Sequence, residues 1–247
     1  MLNRRSAIIG GLAAGVISLN PASVLANNQK ARIIVSLADN THQGIVPVPA
    51  FLGNGQDPKS NLYWGAMYGL KTFLKRQSDW TVQSVSSETP QILDKIKLTY
   101  KNNPIEISAE AWDGAHQKDA LKSYFRDITE GSSNLIMYVG HNPLMDFMHV
   151  GPIAPNEVIE RNKQLHRKSA VIACQSHRFF TDKLNALGMS PYVMTAGNMA
   201  PEAYVVEAIL RAWIGDQSAQ VARQYAAQAY SKYQKIPLRN SNWLFGV

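Results

Sequence analysis

Short apolar runs alternate along the chain with longer segments in which apolar residues recur every three or four positions. The short runs are rich in β-branched residues and are bounded by glycine, proline or polar positions, a pattern typical of strands. They occupy residues 32–38, 80–85, 105–111, 134–139, 168–174 and 192–195. The pattern predicts a strand in each of these segments.

The longer segments place their apolar residues on one face of a helix. They cover residues 61–77, 88–100, 117–128, 155–165, 178–187, 200–214 and 217–233. Because strands and helices alternate, the sequence predicts an α/β fold, a three-layer sandwich whose central, mainly parallel sheet is flanked by helices. Residues 39–60 show neither pattern and are rich in glycine and proline. Loops of this length are often functional.

Residues 1–26 have the three-part layout of a cleavable export signal. Arg4 and Arg5 form a charged head, and residues 7–19 are small or apolar and carry no charge. This apolar part is about thirteen residues long, shorter than the roughly 20 that a membrane-spanning helix needs. The adjacent arginines also suit the twin-arginine route, so both that route and general secretion stay open. We therefore expect one mature domain, 27–247, in the periplasm or secreted, without a stable membrane anchor.

The charge of the chain is mildly basic and evenly spread. The formal net charge is +7, and removal of Arg4 and Arg5 with the signal leaves +5. Nucleic-acid-binding proteins usually concentrate such charge on one face, whereas the lysines here are scattered along the sequence. We therefore expect no nucleic-acid partner.

Cys174 is the single cysteine of the chain. Exported proteins usually hold cysteines in disulfide pairs because the compartment is oxidising. A lone thiol cannot form an internal disulfide, so it is either a small buried core residue or a group kept for its reactivity. The surrounding sequence favours reactivity.

Two predicted strands end in residues that can perform chemistry. The apolar run 135–139 leads into Gly140 and His141, and the run 168–174 ends in Cys174. One predicted helix separates them, and a strand–helix–strand unit places its two strands side by side or nearly so. An imidazole that favours the thiolate form makes a cysteine a strong nucleophile. We therefore expect the two side chains to cooperate at one edge of the sheet.

These two blocks resemble the caspase-like cysteine peptidases, the group of caspases, legumain, gingipains and separase. In that family an apolar strand ends in the catalytic histidine, and a second apolar strand some tens of residues later ends in Ala-Cys. The resemblance covers about residues 32–196, and its specific part is the pair of blocks that end in His141 and Cys174. It implies a mainly parallel sheet flanked by helices, with His141 and Cys174 as the catalytic dyad.

The resemblance also implies cleavage of peptide or protein substrates without a cofactor or a metal ion. Oxyanion or substrate contacts are then expected from Gly140, Asn142 and Gln175, which flank the dyad. The family usually has glycine directly after the histidine, where its N–H helps to form the oxyanion hole. Here Gly140 precedes His141 and lets the chain turn, while Asn142 follows it and supplies the N–H.

Two other functions stay open on the sequence alone. A metal-dependent hydrolase would use strand-end histidine and aspartate side chains, which suit zinc or a similar ion. The candidate ligands are Asp39, His42, Asp113, His116, His141, Asp146 and His149. A non-catalytic protein on the same scaffold would bind a ligand or partner through the loop of residues 39–60, and it would have no need of a reactive thiol.

Overall fold

The computed structural model describes residues 29–87, 89–101, 103–146 and 154–246. The export signal predicted for residues 1–26 lies outside these ranges, as does His149 of the metal-site alternative. Within them, no helix combines the length and the apolar character needed to cross a membrane.

The described residues form a seven-stranded sheet at the centre of the domain. Its strands are β1 (Lys30–Ser36), β2 (Trp80–Val85), β3 (Ile92–Tyr100), β4 (Glu106–Trp112), β5 (Leu135–Val139), β6 (Lys168–Ile172) and β7 (Ser190–Val193). Their order across the sheet is β2-β3-β4-β1-β5-β6-β7. The neighbours from β4 to β7 are parallel, while β2 and β3 add antiparallel pairs at one edge. The prediction of a mainly parallel sheet is confirmed.

Helices cover both faces of this sheet. They are α1 (Leu70–Lys75), α2 (Gln117–Glu130), α3 (Pro143–Asp146), α4 (Asn156–Gln164), α5 (Ser176–Ala186), α6 (Ala203–Ile214), α7 (Ala219–Gln234) and α8 (Leu238–Phe245). Apolar residues of α1, α6, α7 and α8 pack on one face, and those of α2 and α5 pack on the other. The predicted three-layer α/β arrangement is therefore present.

The sequence of β1 shows why a strand forms at the centre of the sheet. Successive side chains of a strand point to opposite faces. Ile33 and Val35 belong to the core beneath α6 and α7, whereas Ile34 belongs to the core beneath α2 and α5. All three are fully buried. Because both faces are covered by helices, the strand is a continuous apolar run and not an alternating one.

The helix predicted for residues 88–100 is wrong, since β3 fills most of this segment. The prediction depended on apolar residues four positions apart, such as Ile92 and Ile96. An interval of four also keeps residues on one face of a strand. Buried Ile96 and Leu98 flank exposed Lys97, which is the two-residue period of a half-buried strand. Hydrogen bonding to β2 on one side and β4 on the other holds the segment extended.

The helix predicted for residues 61–77 is too long, because only its last part is helical, as α1. Before α1, the backbone oxygen of Asn61 accepts hydrogen bonds from the N–H groups of Trp64, Gly65 and Ala66, at 3.1, 3.1 and 2.9 Å. These bonds close a turn, and residues 62–69 form turns and bends before α1 begins. The short helix α8 was not predicted, and it packs against α7, where the rings of Phe245 and Tyr230 lie 5.6 Å apart.

The strand order creates a crevice in the middle of the sheet. Counted in chain order, the five parallel strands lie across the sheet as 2-1-3-4-5. The connection after β1 leads to one side, and the connection after β4 returns past β1 to β5. In sheets wound this way, ligands bind beyond the carboxyl ends of the strands at the point where the direction reverses. That point lies between β1 and β5.

Candidate functional site

Polar residues from both sides meet in the crevice between β1 and β5. Asp39, His42 and Gly44 come from the loop that follows β1, and His141 follows β5. A β-carbon on Gly44 would lie 3.1 Å from Oδ1 of Asp146 and 3.9 Å from Nε2 of His141. The backbone of the loop therefore lies directly against the histidine and its neighbouring carboxylate.

Gly140 makes the turn that delivers His141 into this crevice. Its φ is +138°, a backbone conformation that residues with a β-carbon rarely adopt. A β-carbon there would also lie 2.6 Å from the backbone oxygen of Ser36 on β1. The Gly140 N–H donates to the carbonyl of Ile172 on β6 at 3.2 Å, so the turn is held between two strands.

His141 forms a close pair with Asp146. The two side chains lie with His141 Nε2 2.7 Å from Asp146 Oδ2, and the histidine side chain is only 6% exposed. An imidazole whose Nε2 donates to a carboxylate has its lone pair on Nδ1 in the neutral form. The pair therefore leaves Nδ1 as the atom of His141 that can accept a proton.

His141 and Cys174 occupy equivalent places on neighbouring strands. The last paired residues of β5 and β6 are Val139 and Ile172, and each site residue lies two positions beyond. Neighbouring strands are roughly 4.8 Å apart. The side-chain amide of Asn142 donates to the backbone carbonyl of Cys174 at 2.7 Å and ties the two strand ends together.

The thiol of Cys174 is partly buried and contacts the loop that follows β7. The N–H of Met199 donates to Sγ at 3.4 Å, and the thiol donates to the Met199 carbonyl at 3.6 Å. Across the part of the chain that the structure describes, no hydrogen bond joins this sulfur to His141, so their cooperation stays a prediction.

Two tyrosines, Tyr63 and Tyr230, lie near the thiol of Cys174. Burial raises the pKa of Tyr63, and the nearby Cys174 and Glu202 raise it further. Burial likewise raises the pKa of Tyr230, whose hydroxyl oxygen accepts a hydrogen bond from the N–H of Ala200 at 3.0 Å. Both hydroxyls therefore stay neutral beside the sulfur.

The side chain of Asn142 forms hydrogen bonds to backbone groups around the site. Besides its bond to Cys174, its oxygen accepts from the N–H of Leu144 at 3.0 Å. The backbone N–H of Asn142 has no acceptor among residues 29–87, 89–101, 103–146 and 154–246. This N–H is the group that Asn142 can offer to a substrate oxygen.

Gln175 lies next to Cys174, in a left-handed conformation with φ of 51°, directly before α5. Its N–H donates to the carbonyl of Gly197 at 2.9 Å, and its side chain donates to Asn198 Oδ1 at 3.1 Å. The side chain of Gln175 is thus directed at the loop after β7, and its substrate contact stays a prediction.

Asn40 and Gln43 fix the loop of residues 39–60 over the crevice. The Asn40 amide bonds both backbone groups of Val48, at 2.7 and 3.1 Å. The amide nitrogen of Gln43 donates to the carbonyls of Leu37 and Gly114, at 2.8 and 3.0 Å. Within the loop lies an open hollow of about 360 Å³. It is lined by Asp39, Asn40, Thr41, His42, Ala50, Gly53, Asn54, Gly55 and Gln56.

The candidate metal ligands separate into pairs. Asp39 Oδ2 lies 2.9 Å from His42 Nδ1, and His116 pairs with Asp119 at 3.2 Å. Asp113 accepts from the backbone N–H of Ala115 at 2.9 Å. Among the residues whose positions are described, no three or more His, Cys, Asp or Glu side chains are arranged to hold a metal ion.

Two functional candidates at this site were not predicted in their present roles. Asp146 appeared only as a metal ligand, although it pairs with His141; a carboxylate five residues after a strand-end histidine is the one sequence signal for this pair. Gln117 appeared only as the start of a helix, although its amide nitrogen lies 3.4 Å from Asp146 Oδ2. No sequence pattern indicates that second contact.

Comparisons of the chain with protein-family models, with curated proteins and with solved structures returned no match.

Proposed function

We propose that the protein is a caspase-like cysteine hydrolase that cleaves peptide bonds, with Cys174 as the nucleophile and His141 as the general acid and base. The observation that carries the proposal is the equivalent placement of these residues at the carboxyl ends of two paired parallel strands. Asp146 adds support because its carboxylate orients the imidazole. The sheet with helices on both faces agrees with the architecture that the family resemblance implies.

The proposed reaction needs no cofactor. The thiol proton passes to Nδ1 of His141 as sulfur attacks the substrate carbonyl carbon. The negative charge then lies on the former carbonyl oxygen, to which the N–H of Asn142 donates. His141 returns the proton to the leaving amine as the C–N bond breaks, and a thioester stays on Cys174. Water, deprotonated by His141, then releases the carboxylic acid and restores the thiol.

This reaction requires the sulfur of Cys174 to turn from Met199 toward His141. Sulfur is a weak hydrogen-bond partner, and its contacts with Met199, at 3.4 and 3.6 Å, hold it only loosely. Rotation between staggered positions of the Cα–Cβ bond is enough to redirect the thiol. In proteins without substrate, catalytic hydrogen bonds are often long and tighten only in the complex.

The pH dependence of Cys174 alkylation by iodoacetamide tests the proposal in the folded mature protein. The wild-type thiol is expected to react well below its ordinary pKa of about 8.5, and His141→Ala is expected to abolish that reactivity. His116→Ala is the matched control, because this imidazole pairs with Asp119 away from the thiol. A thiol that reacts only after unfolding, or identically in wild type and His141→Ala, contradicts the proposal.

A non-catalytic binding function is the second candidate, and one observation favours it. Both hydrogen bonds of the Cys174 thiol are to the backbone of Met199, as expected for a thiol with a purely structural role. The ligand would then lie in the hollow within residues 39–60. If the thiol reacts only after unfolding, or identically in wild type and His141→Ala, the binding function replaces the hydrolase as the proposed function.

We also propose that the domain acts after export, in the periplasm or outside the cell. The layout of residues 1–26 supports this. Protein recovered from the periplasm of a bacterial host is expected to have a mass that corresponds to a chain starting at Asn27. Joint replacement of Arg4 and Arg5 by lysine distinguishes the routes, since it blocks twin-arginine export and spares general secretion. Full-length wild-type protein confined to the cytoplasm would contradict the proposal.

A further inference from the structure

Gln117 places a buried amide against the carboxylate that pairs with His141. It is the first residue of α2 and is 3% exposed. Its Nε2 lies 3.4 Å from Oδ2 of Asp146 and 3.5 Å from the backbone oxygen of His42. The same Oδ2 lies 2.7 Å from Nε2 of His141. A single carboxylate oxygen is therefore approached by two nitrogen donors.

The other end of the Gln117 amide is unpaired. Its Oε1 is buried and has no hydrogen-bond partner in the part of the chain that the structure describes. A buried acceptor without a donor lowers stability, and an apolar side chain of the same length would avoid that loss. Unpaired buried polar atoms are uncommon in folded proteins, and a functional role is one of their recognised explanations. The packing of α2 alone gives no reason for an amide at this position.

The side chain of Asp146 is partly exposed, so a second hydrogen-bond donor helps to hold its carboxylate in place. It is the last residue of the four-residue helix α3, and its side chain is 28% exposed. If its carboxylate turned toward solvent, His141 would lose the partner that keeps the proton on Nε2. Gln117 lies on a longer helix that packs against β5 and β1, so its amide is a fixed point against which the carboxylate can rest.

We propose that Gln117 is a positioning residue, whose amide holds Asp146 against Nε2 of His141. The proton of the neutral imidazole then stays on Nε2, and the lone pair of Nδ1 is free to accept a proton. Its importance for catalysis rests on the proposed hydrolase function. Its effect on the imidazole is independent of that function, because it concerns only which nitrogen carries the proton.

Gln117→Met tests the role, since methionine keeps the unbranched shape and removes both amide groups. In the wild type, long-range ¹H–¹⁵N correlation spectra of labelled histidine are expected to show His141 as the Nε2–H tautomer. In Gln117→Met, the two tautomers are expected to mix, and alkylation of Cys174 at neutral pH is expected to slow about fivefold. Thermal unfolding is expected at the same temperature or higher, because the unpaired Oε1 is gone.

Two further variants separate positioning from a structural role. Gln117→Asn keeps an amide but shortens its reach, so it is expected to mix the tautomers as the methionine variant does. Ser123→Ala, on the same helix, removes a hydrogen bond from Arg32 and is expected to lower stability without altering the His141 spectrum.

The possible outcomes distinguish the two proposals. Unchanged His141 tautomers in both Gln117 variants overturn the positioning role, and so does a loss of stability with normal tautomers. Mixed tautomers in a protein whose wild-type thiol is unreactive would instead support the positioning role and count against the hydrolase.

Discussion

Asp146 Oδ2 lies 2.7 Å from Nε2 of His141, and this pair is set on a turn that connects β5 to the four-residue helix α3. The carboxylate is partly exposed while the imidazole is almost fully buried. Such a pair fixes the orientation of a histidine and stabilises its protonated form. It converts the predicted dyad into a candidate triad with an acidic member that is already in place.

Asp146→Asn is expected to slow alkylation of Cys174 at neutral pH about tenfold, the equivalent of about 1.4 kcal/mol in the activation free energy. The amide keeps the shape of the side chain but removes the carboxylate that orients the imidazole. Alkylation rates measured from pH 5 to 9 check this. Asp119→Asn, at an exposed pair with His116, is the control and is expected to react like wild type. Equal rates in wild type and Asp146→Asn would refute the triad.

Gly140→Ala is expected to lower the free energy of unfolding by about 2 kcal/mol or more, because a residue with a β-carbon is strained at φ of +138°. The added carbon would also approach the Ser36 carbonyl to 2.6 Å. Urea unfolding measures the loss. Gly215→Ala is the control, since Gly215 has φ of −82° and its nearest contact would be 3.3 Å. A loss no larger than in the control would show that the turn relaxes.

Glu202→Gln is expected to remove a pH-dependent loss of stability. Burial raises the pKa of Glu202 above its ordinary value of 4.5, although hydrogen bonds from Tyr204 and Gln234 oppose this. The folded protein therefore holds this proton more tightly than the unfolded chain does. The resulting stabilisation is complete below pH 4.5 and is lost as the pH rises through the folded-state pKa.

Chemical unfolding at several pH values measures this linkage as the difference between wild type and variant. Each unit by which the pKa is raised corresponds to about 1.4 kcal/mol, and the variant is expected to gain on wild type as the pH rises. Glu160→Gln is the control, because that side chain is 58% exposed and forms only a surface pair with Lys163. A constant difference between Glu202→Gln and wild type would contradict the expectation.

Arg167→Met is expected to lower the free energy of unfolding by about 3 to 5 kcal/mol. The guanidinium is 1% exposed and lies 2.9 Å from Asp127 Oδ1 and 2.9 Å from Asn162 Oδ1. It also donates to the backbone carbonyls of Asp127, Ile128 and Ser133, and the Ser133 carbonyl would lose its donor on substitution. Arg211→Met, at a pair 3.8 Å long with a half-exposed guanidinium, is expected to cost under about 1 kcal/mol. Similar losses in the two variants would disprove this.

The parallel strands could be predicted from the sequence because strands buried on both faces are short continuous apolar runs. The predicted segments 32–38, 134–139 and 168–174 therefore agree with β1, β5 and β6 to within two residues at both ends of each strand. The segment 88–100 misled the prediction, because spacings of four residues fit both a helix and a strand. Only hydrogen bonding to β2 and β4, which no local pattern reports, decides between them.

Part of the candidate site could also be predicted from the sequence, and part could not. Strand ends could be located from the sequence, so His141 and Cys174 are found at equivalent positions of neighbouring strands. The side-chain directions could not be predicted, since they depend on the turn at Gly140 and on the approach of Met199 to the thiol. Contacts between distant segments, such as Gln117 with Asp146, follow from the packing of α2 and have no local signature.

The central place of β1 affects how the chain reaches its folded state. This strand is made first among the seven, yet its partners in the sheet begin at Glu106 and Leu135. The paired residues of β4 end at Trp112 and those of β5 at Val139, so one edge of this apolar strand lies open to pairing with other molecules until more than half of the chain has been synthesised. Contacts so distant in sequence also form slowly. We therefore expect the growing chain to be prone to aggregation until β5 has been made.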